Sequence, residues 1–320
     1  MITMSKIAKL AHVSVSTVSK AFSMSPDVNP ETREVIFEIA RQYGCFKKYY
    51  RAKYPKQVVA VICPELKSSY YSYALSLLQT HLAEYNCEIC VASTDFSQKT
   101  TEELLQYYNH YTSVDGVILI NTSVEIYPTM EIPVVSICSS ARCNSTVSVT
   151  ASYKEGLAQA LDYFLDKGVT QIGFLGDSIT RSKLKTFQDF LQARGVVPDQ
   201  QLISIADTRF EQGGYSAMKR LLDAGHLPRA LVCAYDHMAI GAIRCIFDRG
   251  LTVPGDIAVL GMDNIPECSY LNPPLSSIDS NLGDACKKAA EAMMDCLLGN
   301  PTENTISVQP QLYLRKSTEI

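Results

Sequence analysis

The sequence predicts an α/β protein in two unequal parts: a small all-α head containing a helix-turn-helix, then a two-lobed body built on parallel sheets. Three observations predict this fold class. Short amphipathic segments with helix-capping residues occupy the first part of the chain. Strand-like apolar runs then alternate with helical patterns, in two successive series. A length of 320 residues is also more than one ordinary domain needs.

Helix caps delimit the elements of the head. Thr3, Ser14 and Asn29 each precede an apolar periodic run, and each carries a side-chain oxygen suited to an N-cap. A proline follows Asn29 at the first helical position, and Gly44 ends the last run. The predicted helices cover residues 4–11, 15–22 and 30–43.

The second predicted helix has two distinct faces. Its spacing buries Val18 and Phe22 against the rest of the head. The opposite face exposes Val15, Ser16, Ser19 and Lys20. Two short helices joined by a tight turn form a helix-turn-helix, whose second helix enters the major groove of DNA.

Charge is distributed unevenly along the chain. Residues 1–57 carry ten basic and four acidic side chains, a net +6, whereas the whole chain has a net charge of −4. A basic head on an acidic body indicates an anionic partner for the head alone. A merely solvated basic surface would have the same composition.

The segment 4–22 resembles the helix-turn-helix signature of the LacI/GalR family of transcriptional regulators. It contains the pattern Ile-Ala-x-x-Ala-x-Val-Ser-x-x-Thr-Val-Ser. The resemblance implies that Val15, Ser16 and Lys20 read bases, whereas Thr17 and Ser19 contact phosphates or support the fold. Lys20 stands where the family usually has arginine, which predicts weaker discrimination at one base. The DNA-binding residues predicted in this way are Ser5, Val15, Ser16, Thr17, Ser19, Lys20, Lys47, Lys48 and Arg51.

The predicted hinge or linker, residues 47–57, departs from that family. It has five basic residues and no acid, which favours contact with phosphates. It lacks the leucine that family members insert into the minor groove, a role that Tyr50 or Tyr54 could take. A solvated linker with its tyrosines packed on the body fits the same residues.

The body, residues 58–320, is predicted to bind an effector and to dimerise. Its strands are predicted over 58–63, 88–93, 116–120, 134–137, 171–175, 202–205, 230–234 and 257–261. Its helices are predicted over 70–85, 101–111, 154–167, 183–194, 214–224 and 239–249. Because ligands bind beyond the carboxyl ends of parallel strands, we expect a site in the cleft between the lobes.

Three stretches of the body, 235–242, 253–264 and 273–278, are similar to the LacI/GalR body, which is related to periplasmic sugar-binding proteins. The resemblance implies a regulator, expected to be a repressor, controlled by a small-molecule effector. It also implies double-stranded, roughly palindromic operator DNA. The chain shows no heptad repeat at its C-terminus, so we expect a homodimer rather than a tetramer.

Family positions predict the residues around the effector. Aspartates common in the family are replaced by Cys138 and Thr150, and a frequent asparagine by Tyr235. The loss of these hydrogen-bonding groups favours an effector other than an ordinary free hexose. Lys183 aligns with the family's ligand-binding arginine, and Arg181 is the alternative candidate for that role. The predicted effector-binding residues are Tyr70, Tyr71, Lys183, Phe210, Tyr235 and Asp263.

Other classes of function fit the sequence less well. No dinucleotide, phosphate-loop or nucleophile-elbow motif is present, and the five histidines are isolated, so we expect neither an enzyme nor a cofactor or metal. Eleven cysteines, most of them in apolar stretches, predict reduced thiols, with Cys87 and Cys90 on opposite faces of one strand. The absence of a leader or a membrane span predicts a cytoplasmic protein.

Two alternative functions remain. A solute-binding protein would share the body, but it predicts a leader peptide and no basic head. A DNA-binding architectural protein with a ligand-blind body predicts DNA binding that no metabolite changes.

Overall fold

The computed structural model describes residues 2–49, 56–112, 114–121, 130–137 and 146–320, without the side chains of residues 47, 48, 111 and 146. The hinge candidates Tyr50, Arg51 and Tyr54 lie outside the described residues, as does Cys138.

The head is the predicted helical bundle. Its helices are α1 (Met4–Leu10), α2 (Val15–Phe22), α3 (Pro30–Gln42) and the short α4 (Phe46–Tyr49). The three predicted caps are confirmed: the side chains of Thr3, Ser14 and Asn29 each accept a hydrogen bond from a backbone N–H in the first turn. These bonds satisfy amides that a helix start would otherwise leave without a partner.

Apolar side chains from the three main helices meet in one core. Ile7, Val18 and Ile36 are fully buried, and the Phe22 ring stacks on Phe37 with centroids 5.5 Å apart. Full burial of each such side chain stabilises the fold by about 1.5–3 kcal/mol. Helix α2 is therefore held by its buried face, and its other face is left to solvent.

The first lobe begins with alternating strands and helices. In chain order these are β1 (Gln57–Cys63), α5 (Ser69–Ala83), β2 (Cys87–Ser93), α6 (Gln98–Tyr111), β3 (Gly116–Ile120), β4 (Val134–Ile137) and β5 (Thr146–Ala151). Strand β5 was not predicted. It carries Ser and Thr at alternate positions, so it lacks the apolar run that marked the others.

The second lobe repeats the alternation. Its elements are α7 (Lys154–Asp166), β6 (Ile172–Asp177), α8 (Arg181–Ala193), β7 (Ile203–Ala206), α9 (Phe210–Asp223), β8 (Ala230–Cys233), α10 (Asp236–Asp248), β9 (Ala258–Met262) and β10 (Ser276–Asp279). Helix α9 begins four residues earlier than predicted, at Phe210.

The chain then returns to the first lobe, which the sequence did not predict. Helix α11 (Leu282–Leu298) packs on the first lobe, and β11 (Thr305–Val308) pairs with β5. Strand β12 (Gln311–Tyr313) crosses back and pairs antiparallel with β10. Small and flexible apolar side chains such as Ala285, Ala289 and Met293 let α11 cover that sheet closely. Each lobe is thus built from separate parts of the chain.

In the described part of the chain, the strands form two sheets. Their orders are β11-β5-β4-β3-β1-β2 and β12-β10-β9-β8-β6-β7. The pairs are parallel except for β10 with β12, which confirms the predicted fold class. The carboxyl ends of β6, β8 and β9 therefore lie side by side in the second lobe.

A close approach of α9 and α10 positions residues at that end of the sheet. A Cβ on Gly214 would lie 1.9 Å from Met238 O, and one on Gly241 would lie 1.9 Å from Glu211 O. Both positions require glycine, since a backbone carbonyl cannot give way. The contact brings Phe210, at the start of α9, next to His237, at the start of α10.

The two cysteines of β2 lie on opposite faces of the first sheet, as predicted. Cys87 joins the buried cluster beneath α5 and α11, whereas Cys90 packs with the cluster that contains Leu105 of α6. Burial raises the pKa of both thiols. Alternation along the strand therefore keeps the two sulfur atoms apart.

Candidate functional site

The exposed face of α2 carries polar side chains in the described part of the head. Ser16, Ser19 and Lys20 are exposed, and Val15 is 47% exposed although it is apolar. This is the face that the sequence predicted would be turned outward. An apolar side chain among hydroxyls on an unpacked helix face matches a surface that contacts both base edges and phosphates.

Other predicted DNA-binding residues differ in how they are engaged. Ser5 is exposed on α1. The Thr17 hydroxyl lies 2.8 Å from Ser14 Oγ and is thus part of the cap. Lys20 Nζ donates to Asp27 Oδ2 at 2.8 Å, and both side chains are exposed. Lys47 and Lys48 lie in α4, whose side chains at those positions are not described.

The start of the predicted linker packs on the head. The Tyr49 hydroxyl donates to Ile2 O at 3.0 Å, and its ring lies 5.7 Å from that of Phe22. Helix α4 therefore continues the head. Elsewhere in the head, Arg33 holds the turn before α3 by donating to Ser25 O and Val28 O.

The second lobe contributes polar side chains to the cleft from three adjacent strand ends. Asp177 ends β6, Tyr235 follows β8, and Asp263 follows β9. Lys183 of α8 donates to Ala234 O at 2.6 Å and lies 3.8 Å from Asp263 Oδ1. The predicted position of the site, beyond the carboxyl ends of parallel strands, matches this arrangement.

Tyr235 makes two hydrogen bonds within its own lobe. Its hydroxyl donates to Asp177 Oδ2 at 2.8 Å and accepts from the Phe210 N–H at 2.9 Å. Burial raises the pKa of this hydroxyl, and the nearby Asp177 charge adds to the effect. The tyrosine therefore stays neutral and supports the backbone at Phe210.

Two neighbouring acidic groups, Asp263 and Asp236, have unusual surroundings. Burial raises the pKa of Asp263, against the opposing charges of Lys183 and His237. Its φ of 101° is a strained value for an aspartate. Asp236 is fully buried and accepts from Ser277 Oγ at 2.6 Å and from the Ile265 N–H at 2.9 Å. Burial, followed by the charge of Asp263, raises its pKa to about 8.

Two tyrosines stand at the start of α5 in the first lobe. The rings of Tyr70 and Tyr71 meet edge to face, 5.2 Å apart. The Tyr71 hydroxyl accepts from Asn121 Nδ2 at 3.0 Å. Burial raises the pKa of Tyr71 and the charges of Asp263 and Glu65 add to this, whereas the hydrogen bond from Asn121 and the charge of Arg209 lower it. Tyr71 is thus within electrostatic reach of Asp263 and Arg209 in the second lobe.

Among the residues that the structure describes, two polar contacts cross directly between the lobes. Arg209 Nη1 donates to Glu65 Oε2 at 2.7 Å, and Ser69 Oγ donates to Glu267 Oε1 at 3.2 Å. The Arg209 guanidinium also lies over the rings of Phe96 and Phe210. Burial would lower the pKa of Arg209, but the hydrogen bond and charge of Glu65 outweigh it and the pKa is raised.

Sequence reasoning missed Glu65, Phe96, Asp177, Arg209 and His237. Glu65 follows β1 and Asp177 ends β6. Both could therefore have been predicted, since ligands bind beyond the carboxyl ends of parallel strands. Arg209 and Phe96 meet only because the chain folds across both lobes, and nothing local in the sequence indicates this.

Three buried polar atoms of these residues have no hydrogen-bond partner in the structure. They are Glu65 Oε1, Arg209 Nε and His237 Nε2. His237 Nδ1 lies 2.6 Å from Glu211 Oε1, which leaves the other ring nitrogen directed elsewhere. Buried polar atoms without partners are rare, and here three of them share one cleft.

Other kinds of site find no support in the described ranges. No group of three or more His, Cys, Asp or Glu side chains among these residues is arranged to hold a metal ion. Within the same ranges, no helix has the length and apolar character that crossing a membrane requires.

Comparisons with known protein families match both parts of the chain. Residues 3–45 match the model described as bacterial regulatory proteins, lacI family. Residues 161–318 match the model of a periplasmic binding protein-like domain. The two matches fall on the helical head and on the part of the chain that contains the whole second-lobe wall of the cleft.

Individual relatives cover most of the chain. A probable HTH-type transcriptional repressor, ExuR of Bacillus subtilis, is 30% identical over 300 residues, which span 87% of this chain and 86% of that protein. Catabolite control protein A of Priestia megaterium is 26% identical over 337 residues, 99% of each chain. A lac repressor dimer bound to operator and the anti-inducer ONPF has a similar fold, with a TM-score of 0.71 at 19% identity over 99% of each chain.

Proposed function

The chain belongs to the LacI family of bacterial regulatory proteins, and we propose that it is a cytoplasmic, homodimeric repressor whose affinity for operator DNA is set by a small molecule in the cleft between its lobes. One observation carries the proposal. A single chain joins a head with an unpacked helix face to a cleft that residues of both lobes line. Family membership makes it a DNA-binding transcriptional regulator, which supports a role other than catalysis.

The head reads DNA through α2. We assign base contacts to Val15, Ser16 and Lys20, and phosphate contacts to Ser5 and Ser19. The exposure of these side chains supports the assignment. Thr17 supports the helix start through Ser14. The basic residues Lys47, Lys48 and Arg51 supply further phosphate contacts.

We propose the same domain boundaries that the sequence predicts. We assign residues 1–46 to the head, 47–57 to the linker and 58–320 to the body. Because Tyr49 bonds to Ile2, the first turn of the linker moves with the head. A change in the spacing of two linkers would then reposition two heads on the DNA.

The effector contacts side chains of both lobes. We assign to it Tyr70 and Tyr71 from the first lobe, and Lys183 and Asp263 from the second. Phe210 and Tyr235 form the floor between them, since Tyr235 is occupied by its own hydrogen bonds. Few free carboxylates and several aromatic rings favour an effector other than an ordinary free hexose.

The lac repressor structure that matches this fold is named as a dimer on its operator. A two-fold dimer of this chain would place its heads on a roughly palindromic site. A ligand changes DNA affinity only if it binds one arrangement of the lobes more tightly than the other. The hydrogen bonds that Arg209 and Ser69 make across the lobes distinguish two such arrangements. In one arrangement these bonds are intact, and in the other they are broken.

Selection from a random DNA pool tests the proposal. Full-length protein is used to enrich duplexes, and the mass of the complex is measured by analytical ultracentrifugation. We expect a sequence with two-fold symmetry, bound by two copies of the chain. Recovery of DNA with no shared sequence would contradict sequence-specific regulation and favour an architectural role.

A further inference from the structure

Arg209 directly precedes Phe210, the aromatic residue that the sequence predicted to contact the ligand. Its guanidinium carbon is 4.6 Å from the ring centroid of Phe210 in the second lobe and 4.9 Å from that of Phe96 in the first lobe. The Phe210 ring, expected to stack on the effector, is thus covered by a cation of the chain itself. A ligand entering from this side meets the arginine first.

The backbone is strained at both aromatic positions. Phe96 has a φ of 59° and Phe210 a φ of 62°, values that bulky side chains seldom adopt. Asp95 beside Phe96 is also left-handed, with a φ of 50°. Such strain persists only where surrounding structure enforces it, and it concentrates at functional sites. Here the strain places one ring from each lobe against the same guanidinium.

Because the rings of Phe96 and Phe210 cover the guanidinium, its hydrogen bonds are made by the N–H groups along its edge. The Glu65 carboxylate takes one position on that edge, by a single bond from Nη1 to Oε2 of 2.7 Å. Arg209 Nε, 3.7 Å from Asp177 Oδ2, has no hydrogen-bond partner, and neither has Glu65 Oε1. The planar fork of arginine is suited to a carboxylate or phosphate that accepts two bonds. Glu65 therefore accepts only one of the two hydrogen bonds that the arginine fork can donate to a single anion.

We propose that Arg209 is an anion clamp whose resting occupant is Glu65, and that the acid group of the effector, a carboxylate or phosphate, replaces it. This inference rests on the proposed function, since it names the chemistry of that same effector. Exchange of one anion for another keeps the half-buried arginine paired. A neutral hydroxyl in place of Glu65 would leave the arginine charge less well compensated, which is unfavourable.

The surrounding groups suit an acid that also carries hydroxyls. His237 contacts the Phe210 ring, with centroids 5.7 Å apart, and its Nε2 has no partner. Lys183 adds a second positive charge beside Asp263. Asp263, whose side chain is partly exposed, offers an acceptor for a hydroxyl group.

Replacement of Glu65 also couples binding to the lobes. Among the described residues, Glu65–Arg209 is the ion pair that joins the two lobes. An anion that takes its place on Arg209 frees the first lobe from this contact. The acid group would thus both select the ligand and change the lobe equilibrium.

Three probes with one carbon skeleton test the clamp: D-glucose, D-glucuronate and D-glucose 6-phosphate. Binding of each to the full-length protein is measured by titration calorimetry and thermal shift. We expect at least one of the two acids to bind and glucose to bind far more weakly, and the acid that binds identifies carboxylate or phosphate. In E65Q protein the clamp has lost its resting occupant, so affinity for that acid should rise about tenfold, or ~1.4 kcal/mol.

Arginine variants complete the test. R209A should lose acid binding, and R209K should retain only part of it because lysine lacks the planar fork. R244A, a change at a 73% exposed arginine of α10, is the matched control and should bind like the wild type. Equal binding of glucose and the acids, no gain in E65Q, or no acid binding to E65Q would each overturn the clamp.

Operator binding separates the two proposals. All variants are assayed without probes on a duplex selected from the random pool. If wild-type protein binds this duplex but the acids show none of the expected differences, only the clamp is wrong. If the selection yields no specific duplex, the proposed function as a sequence-specific regulator is wrong.

Discussion

Tyr235 and Asp177 form a buried hydrogen bond that ties together the ends of two neighbouring strands. The tyrosine hydroxyl donates to Asp177 Oδ2 at 2.8 Å, and the two residues are 7% and 1% exposed. The same hydroxyl accepts from the backbone N–H of Phe210. A side chain predicted to contact the effector therefore also fixes the ring that borders it.

Replacing Tyr235 by phenylalanine should destabilise the body. The change leaves a buried carboxylate oxygen and the Phe210 N–H without this partner, at a cost of about 1–3 kcal/mol. Urea unfolding gives the free energy. Tyr215, whose hydroxyl donates to Asp248 Oδ2 at 3.2 Å in an exposed setting, provides the matched Tyr215→Phe control, which should change little. Equal losses in the two variants would contradict the structural role of Tyr235.

Asp236 should make stability depend on pH. Its pKa is about 8 in the folded chain, raised first by burial and then by the charge of Asp263, against ~3.9 for an unfolded aspartate. Between these values the folded chain holds a proton that the unfolded chain has released. Stability therefore falls as the pH rises through this window.

Asp236→Asn removes that titration and keeps the shape of the side chain. We expect the free energy of unfolding of the wild type, relative to the variant, to decrease from pH 5 to pH 8. Thermal or urea unfolding at several pH values measures it. Parallel curves for the two proteins would show that Asp236 does not titrate in this range.

Close packing of α9 on α10 should not tolerate a methyl group. In Gly241→Ala the new Cβ would lie 1.9 Å from Glu211 O, so the helices must move apart and stability should fall by about 1–3 kcal/mol or more. Gly283→Ala is the control: no atom lies within 4 Å of its Cβ, and alanine is the better helix former. We expect that variant to be as stable as the wild type or slightly more so. A Gly241→Ala protein of unchanged stability would contradict the packing of α9 on α10.

Lys20 should contribute to sequence discrimination. If it reads a base, Lys20→Ala weakens binding to the selected duplex by ~1–3 kcal/mol, with a smaller effect on random DNA. Fluorescence anisotropy on both duplexes measures this, with Lys219→Ala on the body as the control. A similar loss on both DNAs would instead make Lys20 a phosphate contact.

The ion pair of Lys20 with Asp27 competes with DNA, because Lys20 must leave Asp27 before it can contact a base. Asp27→Asn should therefore strengthen binding to DNA in the same anisotropy assay.

Much of the fold could be predicted because its signals are local. Caps such as Ser14 and the apolar runs of β1 and β3 depend on a few neighbouring residues. The return of α11 to the first lobe could not be predicted, since nothing near Leu282 specifies which sheet it covers. Strand β12 is three residues long and depends entirely on pairing with β10.

The site was only partly predictable for the same reason. The resemblance to the LacI/GalR family predicts Asp263 and Lys183, and the structure brings them together. The meeting of Arg209 with Glu65 joins residues 144 positions apart. It depends on lobe geometry and on the strained backbone at Phe210, for which the sequence gives no local signal.

Operator affinity with and without the protein's own metabolite tests the central claim most directly. The small molecule that co-purifies with the protein is identified, removed and added back while binding to the selected duplex is measured. A ligand-controlled regulator predicts that the dissociation constant changes by about tenfold or more, a coupling of ~1.4 kcal/mol. An identical dissociation constant with the cleft filled and emptied would contradict the account.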